Sequence, residues 1–99
     1  MRLTQQQRQK INELVVQVFG DDVTVHLFGS RLDDSARGGD IDLLIISAQP
    51  IEDKFHKKLQ LNAQLQMALG DRRFDLVIKD PTTEITPFYQ HILEQAQRV

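Results

Sequence analysis

Asp40 and Asp42 stand one residue apart at the head of the aliphatic run Leu43 to Ile46, and Asp75 interrupts a later apolar stretch, "RFDLVIK". Side chains two apart on a strand point the same way, so the first two carboxylates lie roughly 6 to 7 Å apart and repel each other unless a cation sits between them. If the strand carrying Asp75 pairs beside them, at about 4.8 Å, all three carboxylates converge. Hard oxygen ligands without cysteine or paired histidine select Mg²⁺ or Mn²⁺, and Mg²⁺ takes its remaining ligands from water and substrate phosphates. The donor set therefore points to a nucleotide. Upstream, Gly29 lets the backbone approach an anion without a Cβ in the way, and Ser30 opens an expected short helix over residues 30–36 whose first N–H groups suit phosphate oxygens.

The elements that must hold these residues are legible in the periodicity. Residues 4–19 read as a helix: Thr4 and Gln7 form a capping box, Ile11, Leu14, Val15 and Val18 recur at helical spacing, and Gly20 ends the run. "VTVHLF", residues 23–28, alternates as a strand does, and residues 40–46 form a second strand with Asp40, Asp42, Leu44 and Ile46 on one face. A second helix is expected over residues 51–69, on the stripe Ile51, Phe55, Leu59, Leu61, Leu65 and Leu69, with Gly70 as its stop. Residues 73–79 give a third strand, and Phe88, Ile92 and Leu93 suggest a last helix from 86 to 97. The order predicts an α/β fold, one domain over residues 1–99, with a three-stranded mixed sheet flanked by helices.

Composition narrows the chemistry. Twelve Lys and Arg against fourteen Asp and Glu leave a net charge of -2, which argues against nucleic acid as the main partner, because phosphate-backbone binding needs basic residues in excess. With no cysteine there is no disulfide framework, zinc-thiolate site or cysteine nucleophile. The longest apolar run falls far short of the ~20 residues of a membrane span, so a cytoplasmic location is expected and no membrane partner. His26, His56 and His91 lack ligand spacing; His56 and His91 read as surface residues and His26, facing with Phe28, as a core or rim histidine. Asp71 and Asp80 read as solvated loop residues.

Gly29-Ser30, followed by Asp40-Ile41-Asp42 and then a strand-borne aspartate, resembles the signature of the DNA polymerase beta nucleotidyltransferase superfamily, in its stand-alone minimal form, over nearly the whole chain. The resemblance implies transfer of a nucleoside monophosphate from an NTP, usually ATP, to a hydroxyl with release of pyrophosphate. It makes Gly29 and Ser30 the triphosphate-binding turn, Asp40 and Asp42 ligands of two Mg²⁺ ions, and Asp75 the third carboxylate, beside the acceptor. Minimal members are often paired with a HEPN-domain protein as antitoxin and toxin, and some attach AMP to a tyrosine of that partner, so a HEPN-type partner or a homo-oligomer is expected. The chain departs from the family pattern at Gly39, where serine is common, and in the extra acids Asp33 and Asp34, which Arg31 and Arg37 offset. Arg37 is the candidate for bidentate contact with the phosphates. Two other readings compete: an antitoxin acting by occlusion alone, and a small-molecule transferase of the aminoglycoside-modifying kind, which this short chain could manage only with an added domain or a dimer partner.

Overall fold

The computed structural model describes residues 3–29, 41–70 and 73–99. Within them lie helices α1 (Gln5–Phe19), α2 (Lys54–Leu69) and α3 (Pro87–Gln95) and strands β1 (Val23–Phe28), β2 (Ile41–Ser47), β3 (Phe74–Lys79) and β4 (Gln97–Arg98). The sheet order is β3-β2-β1-β4. β1 runs antiparallel to β2 and β4, while β2 and β3 are parallel, so the sheet is mixed, as expected, but has four strands rather than three. A parallel pair needs a crossover, which α2 provides.

α1 forms where the capping box expects it. The Thr4 hydroxyl accepts from the Gln7 N–H (3.1 Å), and the Gln7 side chain accepts from the Thr4 N–H (2.9 Å). Its apolar stripe buries Ile11, Leu14 and Val15 against one face of the sheet, where Val25, Leu27, Leu43, Ile45 and Leu76 complete the core with Leu61 and Leu65 of α2. Complete burial of each such aliphatic side chain contributes about 1.5–3 kcal/mol relative to exposure.

The expectations for the helices need correction. α2 starts at Lys54 instead of residue 51, because Asp53 holds a left-handed conformation (φ 53°, ψ 47°) that a helix cannot include, and the Ile51 N–H is drawn to the Asp80 carboxylate (2.9 Å). Of its expected stripe, Leu61 and Leu65 are buried, but Phe55 and Leu59 are exposed, at 70% and 53%. α3 ends at Gln95, since Ala96 turns extended and residues 97 and 98 pair with Leu27 and His26 as β4. The Val99 N–H then bonds to the Val25 carbonyl (3.0 Å), and Asn12 of α1 donates to the Val99 carbonyl (3.2 Å), which ties the end of the chain to the core.

Asp80 is not a solvated loop residue; it is 1% exposed. Its carboxylate accepts from the Ile51 and Thr82 N–H groups and the Thr82 hydroxyl (2.9, 2.9 and 2.6 Å) and pairs with Lys54 Nζ at 3.0 Å. The Thr82 hydroxyl, followed by the Ile51 N–H, holds its pKa well below the ordinary carboxylate value. A depressed folded-state pKa contributes stability that is present above the unfolded value, near 4, and is lost as pH falls through the folded value. Asp80→Asn is therefore expected to melt lower than wild type at pH 7, on the order of 10 °C, with the gap closing as pH falls below about 4. A gap that stays constant from pH 7 to 2 in thermal melts would assign the effect to packing instead of charge.

Candidate active site

The two faces of the sheet are unlike. One carries the core with α1 and α2; the other presents Thr24, His26 and Phe28 of β1, Asp42, Leu44 and Ile46 of β2, and Asp75, Val77 and Lys79 of β3, by the alternation of the register. Leu44 and Ile92 are buried but stand outside the main core, and α3 is the element left to cover Leu44. The helix crosses this face from β3 to β1: at its start the Tyr89 hydroxyl donates to the Ile78 carbonyl (3.3 Å), and at its end Gln95 Oε1 accepts from the Gly29 N–H (3.4 Å).

At the end of the sheet that α3 reaches with Gln95, the register sets Phe28 beside Asp42 and Asp42 beside Asp75. Two carboxylates thus sit side by side on adjacent parallel strands, as the sequence requires if they are to share a cation. Asp75 is half-exposed and lies 3.6 Å from the guanidinium of Arg73, itself 75% exposed. An ion pair so open to water contributes about 0–1 kcal/mol and exchanges readily for another cation. Asp40, Ser30, Arg31 and Arg37 lie outside the described residues, as does the expected helix over 30–36. Among the described residues no cluster of three potential ligands occurs, so the three-carboxylate set rests on Asp40 joining the pair.

Gly29 follows β1 with φ +76°, a conformation that favours glycine. A Cβ there would run into Asp42 Oδ2 and come within 3.1 Å of Asp42 Cγ, so the turn backbone leans directly on the carboxylate. The Gly29 N–H is itself used by Gln95. Gln95 stands 66 residues from Gly29 in a stretch with no motif, and only the tertiary fold brings it to the turn.

His26 shares the face but sits opposite Leu44, two positions from the level of Asp42. Its Nε2 lies 2.8 Å from the Thr24 hydroxyl, and burial, then the nearby Arg98 charge, lowers its pKa. It is half-buried, in keeping with the core or rim position read from the sequence. His56 and His91 are exposed. The donor set at Asp42 and Asp75 suits a hard divalent cation: two oxygen ligands on neighbouring strands, partly open to solvent, with a Cβ-free backbone turn alongside.

Comparison with known proteins matches residues 9–99 to the family model described as Polymerase beta, Nucleotidyltransferase. No curated protein sequence matches the chain. Among solved structures it is similar to a chain of the complex between a tri-AMPylated Shewanella oneidensis HEPN toxin and an MNT antitoxin, at 25% identity and TM-score 0.69, over 97% of this chain and 71% of that one. A toxin–antitoxin structure with AMP-PNP is alike at 25% identity and TM-score 0.70, over 92% and 70% of the two chains. A variant of the MntA–HpeT toxin–antitoxin pair gives 25% identity and TM-score 0.66, over 92% and 68%.

Proposed function

Because the chain belongs to the polymerase beta nucleotidyltransferase family, we propose that it moves AMP from ATP to a hydroxyl of a HEPN-type partner protein, as an antitoxin that modifies its toxin. The observation that carries this reading is the pairing of Asp42 with Asp75 on adjacent parallel strands beside the Gly29 turn. Likeness to a complex whose HEPN toxin is AMPylated, and to a toxin–antitoxin structure with an ATP analogue, supports the choice of acceptor and donor.

In this reading Asp40, Asp42 and Asp75 would hold Mg²⁺, two ions of which would supply positive charge to the triphosphate and to the attacking and leaving oxygens. Ser30 and the turn that begins at Gly29 orient the β- and γ-phosphates, and Arg31 and Arg37 pair with their oxygens. Asp75 accepts the proton of the acceptor hydroxyl as its oxygen attacks the α-phosphorus. The bond from the α-phosphorus to the bridging oxygen breaks, and pyrophosphate leaves. Arg73 gives up Asp75 when the acceptor arrives, which a solvent-exposed pair at 3.6 Å permits at little cost.

Incubation with α-labelled ATP, Mg²⁺ and the HEPN-domain protein of the same host is expected to leave label on that protein; an unlabelled partner would refute the assignment. A companion expectation concerns the ion. Carboxylates that face a triphosphate repel it without a cation, so calorimetry should show ATP binding in Mg²⁺ fall by at least tenfold in excess chelator. Equal affinity under both conditions would take the metal out of the scheme.

A further inference from the structure

Along the free edge of β3 runs an open groove of about 410 Å³, floored by Leu76, Val77 and Ile78 and walled by Phe55 and Lys58 of α2 and Phe88 of α3. Its walls are unusually apolar for a surface: Phe55 is 70% exposed and Phe88 57%; Leu59, one turn beyond Phe55 and outside the lining, is 53% exposed. Clustered exposed hydrophobics of this size mark a surface that another molecule covers.

The edge itself says what kind of molecule. In the parallel ladder the Ile41 N–H bonds to the Arg73 carbonyl (2.9 Å), so Phe74, Leu76 and Ile78 turn their backbone groups outward. Asn62 donates to the Phe74 carbonyl (2.9 Å) and Tyr89 to the Ile78 carbonyl (3.3 Å), so two of the three outward carbonyls are already taken by side chains. An added β-strand would have to break both bonds. The groove therefore suits inserted side chains from a folded surface. Its charged members are lysines: Lys54 is held by Asp80 at 3.0 Å, while Lys58 is exposed at the rim, and among the described residues no carboxylate lines the groove. An apolar anchor flanked by a carboxylate complements it.

Position ties the groove to the chemistry. Val77 is two residues from Asp75 on the same face of the same strand, and α2 runs antiparallel beside β3, from Lys54 at Asp80 to Asn62 at Phe74. Val77 thus links the groove floor to the side of the sheet on which Asp75 stands. We infer that this β3-edge groove is the docking surface for the acceptor-bearing partner, which inserts an apolar side chain between Phe55 and Phe88, sets a carboxylate against Lys58, and so brings its hydroxyl to Asp75. The inference rests on the function proposed above and adds the place of contact.

The test uses the full chain co-purified with the HEPN-domain protein of the same host. Phe88→Asp and Phe55→Asp are each expected to weaken the complex by roughly 30-fold or more, as loss of a central anchor does. Lys58→Glu, a change of an exposed residue that leaves packing intact, is expected to weaken it about tenfold and to be rescued by Lys58→Arg. Met67→Asp, also on α2 and 87% exposed but away from the groove, serves as the control and should bind as wild type does. Unchanged partner affinity in Lys58→Glu and in the folded aromatic variants would overturn the docking surface. So would a loss of self-association in the groove variants with partner binding intact, which would assign the groove to a second copy of this chain. The two readings fail separately: a wild-type complex that is sensitive to these substitutions but never acquires AMP refutes the acceptor assignment and keeps the docking surface, whereas AMP transfer indifferent to them does the reverse.

Discussion

Asp42→Asn is expected to abolish AMP transfer, with a fall on the order of 10³-fold or more, while the chain still folds. Asparagine matches the shape of aspartate, so the alternation of β2 and its register against Phe28 and Asp75 are kept. What is lost is a negative charge at the point where the proposed reaction needs a divalent cation held against the triphosphate. A neutral amide oxygen is a weak ligand for a hard ion, and the charge that builds on the leaving pyrophosphate then goes unbalanced. Label transfer from ATP to the partner protein measures the effect, and circular dichroism checks the fold. Transfer within tenfold of wild type in a folded variant would remove Asp42 from the reaction.

Gly29→Ala carries the second large effect, by a different route. The new Cβ meets the Asp42 carboxylate at a separation that atoms cannot hold, so either the turn or the carboxylate must move. Misplacement of a reacting group by about 1 Å costs on the order of 10² in rate. The backbone at φ +76° adds a conformational penalty of about 1–2 kcal/mol. Gly20 separates the two contributions: it has φ +93°, yet nothing lies within 4 Å of a Cβ built there. Gly20→Ala should therefore lower the melting temperature by a similar amount and leave transfer intact. If both variants lose activity equally, the contact with Asp42 is not what makes Gly29 matter.

The parts of the molecule that local pattern determines were readable from sequence. Thr4 and Gln7 announce a helix start because both arms of the capping box lie within one turn, and the alternation of Val23 to Phe28 and Ile41 to Ile46 marks strands because a half-buried sheet imposes a period of two. Asp75 could be picked from its neighbours because it alone lies inside a strand pattern. Its pairing with Asp42, and not with a residue one step away, is a fact of register that follows only from the crossover through α2. β4 was invisible because Gln97 and Arg98 carry no strand signal; they pair because β1 offers an open edge as the chain leaves α3. Asp80 looked like a loop acid because its burial depends on Ile51 and Lys54, which lie far back in the chain. Phe55 and Leu59 have the helical spacing of a buried stripe, yet Leu61 and Leu65 hold that side of α2 and turn them outward.

α3 is fastened at both ends, by Tyr89 to the Ile78 carbonyl and by Gln95 to the Gly29 N–H, with the buried Ile92 midway between them. Those three side chains keep step only because they fall at intervals of three along one helix. Deleting or inserting a single residue between positions 89 and 95 would rotate Gln95 by about 100° and shift it by about 1.5 Å along the axis, off the Gly29 turn. Substitution can vary much of this helix residue by residue, but its length is under a constraint that its composition is not: across descendants of this sequence, α3 should accumulate replacements at exposed positions such as Gln90, His91 and Glu94 and almost never change by one residue in length.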